Sequence, residues 1–211
     1  MYPQQVNAYF APTRNEIVFP AAILQYPFFN KESDNAMNYG GIGAVIGHEM
    51  THAFDDEGSK FDGRGDLKNW WTKKDRGQFE KKAKIVEKQF NAYSVAPGIQ
   101  VNGKLTLGEN LADLGGIAIA YDAYQEHLNK KKRVDIDGLT PEQRFFIGYA
   151  LTWREHFRLE YIKEMVRLNP HSPDMFRTNG PLSNFTPFYK AFNVKGGDKL
   201  FREKKDRAEI W

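Results

Sequence analysis

The 211-residue chain contains no cysteine. That absence excludes a disulfide within the chain and any thiolate ligand, so a metal site here must be built from histidine and carboxylate. Charge of one sign is also lacking. Thirty Lys and Arg against 27 Asp and Glu leave a formal charge of +3. The basic residues are dispersed, and the one dense run, Lys130-Lys131-Lys132-Arg133, reads as a solvated loop. A nucleic-acid-binding protein would need a concentrated basic face, and none is found. There is no apolar run long enough to span a membrane and no signal-peptide pattern. Repeats and low-complexity tracts are absent too. Asp55, Asp56, Asp62 and Asp66 do not have the spacing of a calcium loop, and Arg64-Gly65-Asp66 reads as a chance tripeptide in a Gly-rich turn.

Histidine is scarce, with five in the chain, yet two of them fall in His48-Glu49-Met50-Thr51-His52. On a helix, residues four apart share a face, so both imidazoles can reach one metal ion. Neutral imidazole suits Zn²⁺, and the glutamate between them is placed to take a proton from a water at the metal's open position. The surrounding segment supports a helix. Ser33-Asp34-Asn35 offers N-capping residues, and Ala36 to Asp55 is apolar or small on nearly every face, the pattern of a buried helix. Gly58 is placed to end it.

A third ligand is expected from Glu109 or Asp113, which are four apart in a helical period running from Leu107 to Leu128. The spacing leaves open which of them binds metal and which accepts a hydrogen bond from a ligand histidine. Thr106-x-x-Glu109 also reads as a capping box, in which Glu109 would only cap the helix. Elsewhere, Val6 to Phe10 and Glu16 to Phe19 read as a β-hairpin whose edge could pair with an extended peptide. A charged helix is expected over residues 72–93. Thr140-Pro141-Glu142-Gln143 is a strong helix start, with the helix expected to reach Leu168. Asn179-Gly180-Pro181 and Gly196-Gly197 read as breakers. The whole is a mainly α chain with a small β-sheet, an α+β domain spanning residues 1–211.

Several motifs in order resemble the C-terminal catalytic part of the neprilysin-like (M13) zinc endopeptidases, of the bacterial endopeptidase O type. They are Val6-Asn7-Ala8-Tyr9, Asn15 to Ala21, Asn38-Tyr39-Gly40-Gly41-Ile42-Gly43, His48 to Phe54, Gly108 to Gly116, His171-Ser172-Pro173 and Phe176-Arg177. The resemblance implies a thermolysin-like zincin lobe and one zinc ion on His48, His52 and Glu109. It implies Glu49 as the general base, Asp113 as the carboxylate orienting a zinc histidine, and His171 as the donor to the developing oxyanion. Arg177, Asn7 and Ala8 match residues that hold the substrate backbone. Ile23, Phe28, Val45 and Trp153 match the wall of a pocket that favours cleavage on the amino side of large apolar residues, and the small Ala44 would deepen it. Family members are about three times this length, so an N-terminal lobe that closes over the site is expected as a partner, alongside the peptide substrate. The alternative is a zinc-stabilised, non-catalytic peptide-binding fragment. The chain ends Ala208-Glu209-Ile210-Trp211, without the cysteine of animal members. A bacterial origin is therefore expected, with a periplasmic, cell-surface or secreted location favoured over the cytoplasm.

Overall fold

A computed structural model describes residues 1–210. The expected hairpin is present and short. Strand β1 (Tyr9–Ala11) pairs antiparallel with β2 (Glu16–Val18), Tyr9 facing Val18. Asn15, at φ 48°, makes the turn between them. A second small ribbon joins β3 (Ser94–Ala96) and β4 (Ile99–Gln100). The elements that carry the candidate metal ligands are helical.

The buried helix expected from Ala36 onward is built in four connected pieces. Helix α1 (Asn35–Asn38) runs into a π-helical turn over Tyr39–Gly43, then α2 (Ala44–Thr51), then a 3₁₀ turn over His52–Phe54. Asp34 stands at the N-cap position but makes no side-chain cap bond; its carboxylate pairs instead with Arg144, 2.5 Å away. The helix stops at Asp55, ahead of Gly58, because Asp55 turns extended and its Oδ1 accepts from the backbone N–H of Glu57 and Gly58.

Helix α4 occupies Leu107–Leu128, the bounds expected from its periodicity, and lies against α2. Their crossing is a backbone contact. A Cβ on Gly47 would lie 2.7 Å from the Gly116 carbonyl oxygen, and one on Gly116 would lie 2.6 Å from that of Ala44. Helices meeting without side chains between them approach closer than the usual 8–10 Å. Helix α3 (Lys73–Asn91) starts at the Thr72 cap, whose hydroxyl accepts from Asp75 N–H. It packs Phe79, Val86 and Phe90 into one core cluster with Leu111 and Leu114 of α4. A second cluster joins α4 to helix α5 (Pro141–Thr152) through Ile117, Tyr124, Phe145, Phe146 and Tyr149.

The helix from Thr140 begins with the expected capping box but ends at Thr152, and helix α6 (Leu159–Leu168) starts afresh. No Gly or Pro marks the break. Trp153 leaves the helix to lay its indole over the Arg177 guanidinium at 4.0 Å, and the chain from Trp153 to Phe157 runs along the site. The opposite departure occurs at Asn179-Gly180-Pro181, which lies inside helix α7 (Asp174–Leu182). Pro181 has no N–H for the Arg177 carbonyl four residues back, and the Tyr149 hydroxyl supplies that bond at 2.7 Å. Helix α8 (Thr186–Phe192) completes the set.

Two glycines separate packing from propensity. Gly116→Ala should destabilise the chain by about 1–3 kcal/mol, because the methyl has only backbone to displace. Gly77→Ala, in α3 with open space around it, should stabilise by roughly 0.5–1 kcal/mol. Urea titration of both variants checks this; equal shifts would sink the close-contact account.

Candidate metal centre and active-site cleft

The α2–α4 contact sets the ligand geometry. His48 and His52 project from α2 and its last turn, and Glu109 from the first turn of α4. One ligand atom from each lies within 4.8 Å of the others. His48 Nε2 is 3.0 Å from His52 Nε2 and 3.2 Å from Glu109 Oε2. Tetrahedral zinc with bonds near 2.0–2.1 Å spaces its ligands by about 3.3 Å.

The outer nitrogens show why a cation fits. His48 Nδ1 bonds Asp113 Oδ1 at 2.8 Å, and His52 Nδ1 bonds Asp55 Oδ2 at 2.7 Å. Carboxylates accept, so each Nδ1 donates and each Nε2 turns its lone pair inward. Two lone pairs facing at 3.0 Å repel unless a cation lies between them. The local charges agree. Burial pulls the His48 imidazole down, but hydrogen bonds to Asp113 and Glu109 outweigh it and push the ring up to about 9. Burial raises Glu109 too, and the hydrogen bond and charge of His48 more than reverse this, holding the carboxyl far below its usual range. The cluster stabilises positive charge at its centre, and a divalent ion would replace the proton there. Glu109 Oε2 is buried and faces the His48 and His171 Nε2 atoms at 3.2 Å each, as a ligand atom at the centre of the cluster should. The capping box on α4 does not form. Thr106 makes no cap bond, its hydroxyl donating to the Asn102 carbonyl.

Glu49 is 4% exposed, and among the described residues its Oε2 has no hydrogen-bond partner. Burial raises its pKa, and His48 and His52 partly offset that. Asp113 is buried between His48 and Arg177, accepting from Arg177 Nε and Nη2 at 2.8 Å each. Its carboxyl is nonetheless held down: burial alone would raise it, and the Arg177 charge overcomes the burial. Arg177 thus spends Nε and Nη2 on Asp113. His171 sits at the edge of the triad, Nε2 3.2 Å from Glu109 Oε2. Asn169 Oδ1 accepts from both its backbone N–H and Nδ1, and burial lowers its pKa. Ser172 ties this loop to α4 by donating to Asn110 Oδ1.

All the candidate ligand, catalytic and substrate-binding residues expected from the sequence line one cleft of about 570 Å³. Ile23, Phe28 and Val45 form its apolar wall and pack in a small cluster with the buried Ala8. Trp153 closes the wall beside Arg177. Asn7 is exposed at the rim, its Oδ1 accepting from Ala8 N–H at 2.9 Å. Asp55 was not anticipated, although an acid three residues after the second histidine is a readable signal. Tyr149 and Asn169 carried no such signal.

A helix bearing His-Glu-x-x-His, completed by a carboxylate from a neighbouring helix and lining an open cleft, defines a zincin-type metallopeptidase domain. The chain belongs to peptidase family M13, which it matches over residues 7–208. It is 45% identical to endothelin-converting enzyme 1 of Rattus norvegicus, a match covering 100% of this chain and 28% of that protein. Neprilysin-3 of Drosophila melanogaster is 41% identical over all of this chain and 27% of its own length. Among solved structures, the zinc metalloprotease ZMP1 of Mycobacterium tuberculosis in complex with an inhibitor superposes with a TM-score of 0.96 at 50% identity, covering 99% of this chain and 33% of that one. PEPO from Lactobacillus rhamnosis gives 0.87 at 39% identity, covering 98% and 31%. The chain therefore spans about a third or less of the length of these relatives.

Replacing either outer carboxylate, Asp55→Asn or Asp113→Asn, should weaken zinc binding by about 10–100-fold, measured by competition with a chromophoric chelator. Affinities equal to the parent's would rule out the orienting role. Asp174 yields a second prediction. Burial, then the nearby Glu155, raises its carboxyl from 3.8 to about 6. The folded state therefore holds that proton more tightly than the unfolded state. Its contribution to stability is full below about pH 4 and lost as pH rises through about 6. Asp174→Asn should raise the melting temperature above pH 6, the gap closing towards pH 4. A gap that ignores pH would refute this.

Proposed function

We propose that this chain is the catalytic domain of a zinc-dependent endopeptidase acting on short to medium peptides. The observation that supports this most is the buried Glu49 carboxylate, its Oε2 without a hydrogen-bond partner among the described residues, beside a triad whose tautomers are set for a cation. Zinc held by His48, His52 and Glu109 would supply Lewis-acid chemistry, polarising the scissile carbonyl and acidifying a water. Glu49 takes the proton of the attacking water and passes it to the leaving amine. Its raised pKa suits a group that must both accept and release a proton. His171, with Nε2 facing the site, is the proposed donor to the oxygen that develops negative charge; the role needs its charged form, which burial disfavours and the Glu109 charge favours. Arg177 fixes Asp113 and, lining the cleft, is placed to bind a substrate carbonyl. Asn7 and Ala8 hold the peptide backbone along the open edge of β1. The wall of Ile23, Phe28, Val45 and Trp153 receives a large apolar side chain on the amine side of the scissile bond, with Ala44 giving it depth.

The rest of the longer polypeptide found in relatives is proposed to form a second lobe that closes the cleft. A bacterial origin and a location outside the cytoplasm remain part of this reading. Among the described residues no helix is long and apolar enough to cross a membrane.

Hydrolysis of an internally quenched peptide with a central Phe or Leu, with and without a zinc chelator, tests the reading. Chelator-sensitive cleavage is expected. Glu49→Gln should bind zinc in parent stoichiometry and lose about 10²–10⁴-fold in kcat. Turnover at the parent rate in that variant would remove Glu49 from the mechanism. A folded, zinc-loaded chain that cleaves nothing would instead favour a peptide-binding module that needs the second lobe.

A further inference from the structure

A separate hollow of about 240 Å³ lies behind the hairpin, lined by Phe10, Pro12, Phe54, Phe61, Gly63 and Trp70 among others. Trp70, set edge-to-face with Phe54 at 6.3 Å between ring centroids, is 44% exposed and offers aromatic surface at this hollow. The hollow is built rather than incidental. Asp62 and Gly63 of its lining lead into the turn at Arg64-Gly65-Asp66, the tripeptide with no role so far. Asp62 Oδ1 accepts from Arg64 N–H and Asp66 N–H, and Phe61 bridges Leu67. This turn is clamped to the hairpin loop. Asn15 Nδ2 donates to the Gly63 carbonyl, and Gly65, at φ +83°, approaches Thr13 so closely that a Cβ would lie 2.2 Å from its carbonyl oxygen. On the other side Trp70 leans on Trp71, whose indole N–H is fixed to the Ser59 carbonyl.

Phe10, Pro12 and Gly58 line both this hollow and the metal cleft, so the two form one surface. Among the described residues β1 pairs only with β2, leaving its other edge open beside that surface. We infer that the hollow is a distal subsite for the peptide, receiving one large apolar, preferably aromatic, side chain several residues from the scissile bond. The inference rests on the reading of the metal cleft as peptide-binding. Size favours a single side chain over a helix, and continuity with the cleft favours the peptide over a second copy of the chain.

The test uses the zinc-loaded 211-residue chain and labelled peptides with a reduced, uncleavable central bond, followed by fluorescence anisotropy. A central Leu fills the cleft, and one Phe is moved stepwise along the peptide, each paired with a Ser control. At one spacing Phe should bind about tenfold more tightly than Ser, from burial of one aromatic side chain. That Phe-to-Ser ratio should fall to near one in Trp70→Ser and in Phe54→Ser, both at exposed positions and each checked for parent-like melting. A ratio near one at every spacing, or one that survives both substitutions, would overturn the subsite and leave the hollow to a second copy or another part of a longer polypeptide. Failure of all peptides, Ser controls included, would overturn the cleft reading itself and the subsite with it.

Discussion

The crossing of α2 and α4 at Gly47 and Gly116 is the constraint on which the site depends. Side chains between those helices would hold them apart, and Glu109 could not reach within 3.2 Å of His48 Nε2. Each interior glycine costs helix stability, roughly 1 kcal/mol against alanine. The packing it permits must offset that, and the buried clusters on both sides of α4 are where the offset lies. The metal centre is thus a product of backbone proximity before it is a product of ligand chemistry.

From that contact a chain of charge extends outward. His48 leans on Asp113, Asp113 on Arg177, and Arg177 under the Trp153 indole. Each buried charge has an opposite neighbour, which is the condition for keeping it charged away from water. Glu49 too faces His48 and His52, but among the described residues its buried Oε2 has no hydrogen-bond partner. Its proposed task requires an outside partner.

The sequence showed the parts whose physics is local. The His48–His52 spacing, the α4 period, the Thr140 capping box and the hairpin all follow from neighbours a few residues apart. The ordered motifs then brought residues as distant as Asn7 and Arg177 into one expected site, and the structure does gather them around one cleft. Tertiary bonds stayed out of view. Helix α5 ends because Trp153 is drawn to Arg177, which lies on α7. Helix α7 continues through Pro181 because Tyr149, on α5, replaces the missing donor. Thr106-x-x-Glu109 has the letters of a capping box, but its glutamate is turned towards the histidines.

The π-helical turn at Tyr39–Gly43 has a consequence for the register of the chain. Such a turn holds one residue more than an α-helical path would, and each residue of α-helix turns the chain by about 100°. The face on which α1 meets α5 and the face on which α2 presents its histidines are thereby offset by that one residue. Removing a single glycine here would not simply shorten the rod. It would swing the imidazole pair around the axis relative to everything α1 is anchored to, away from Glu109. The extra residue acts as an angular setting between a structural half-helix and a chemical one.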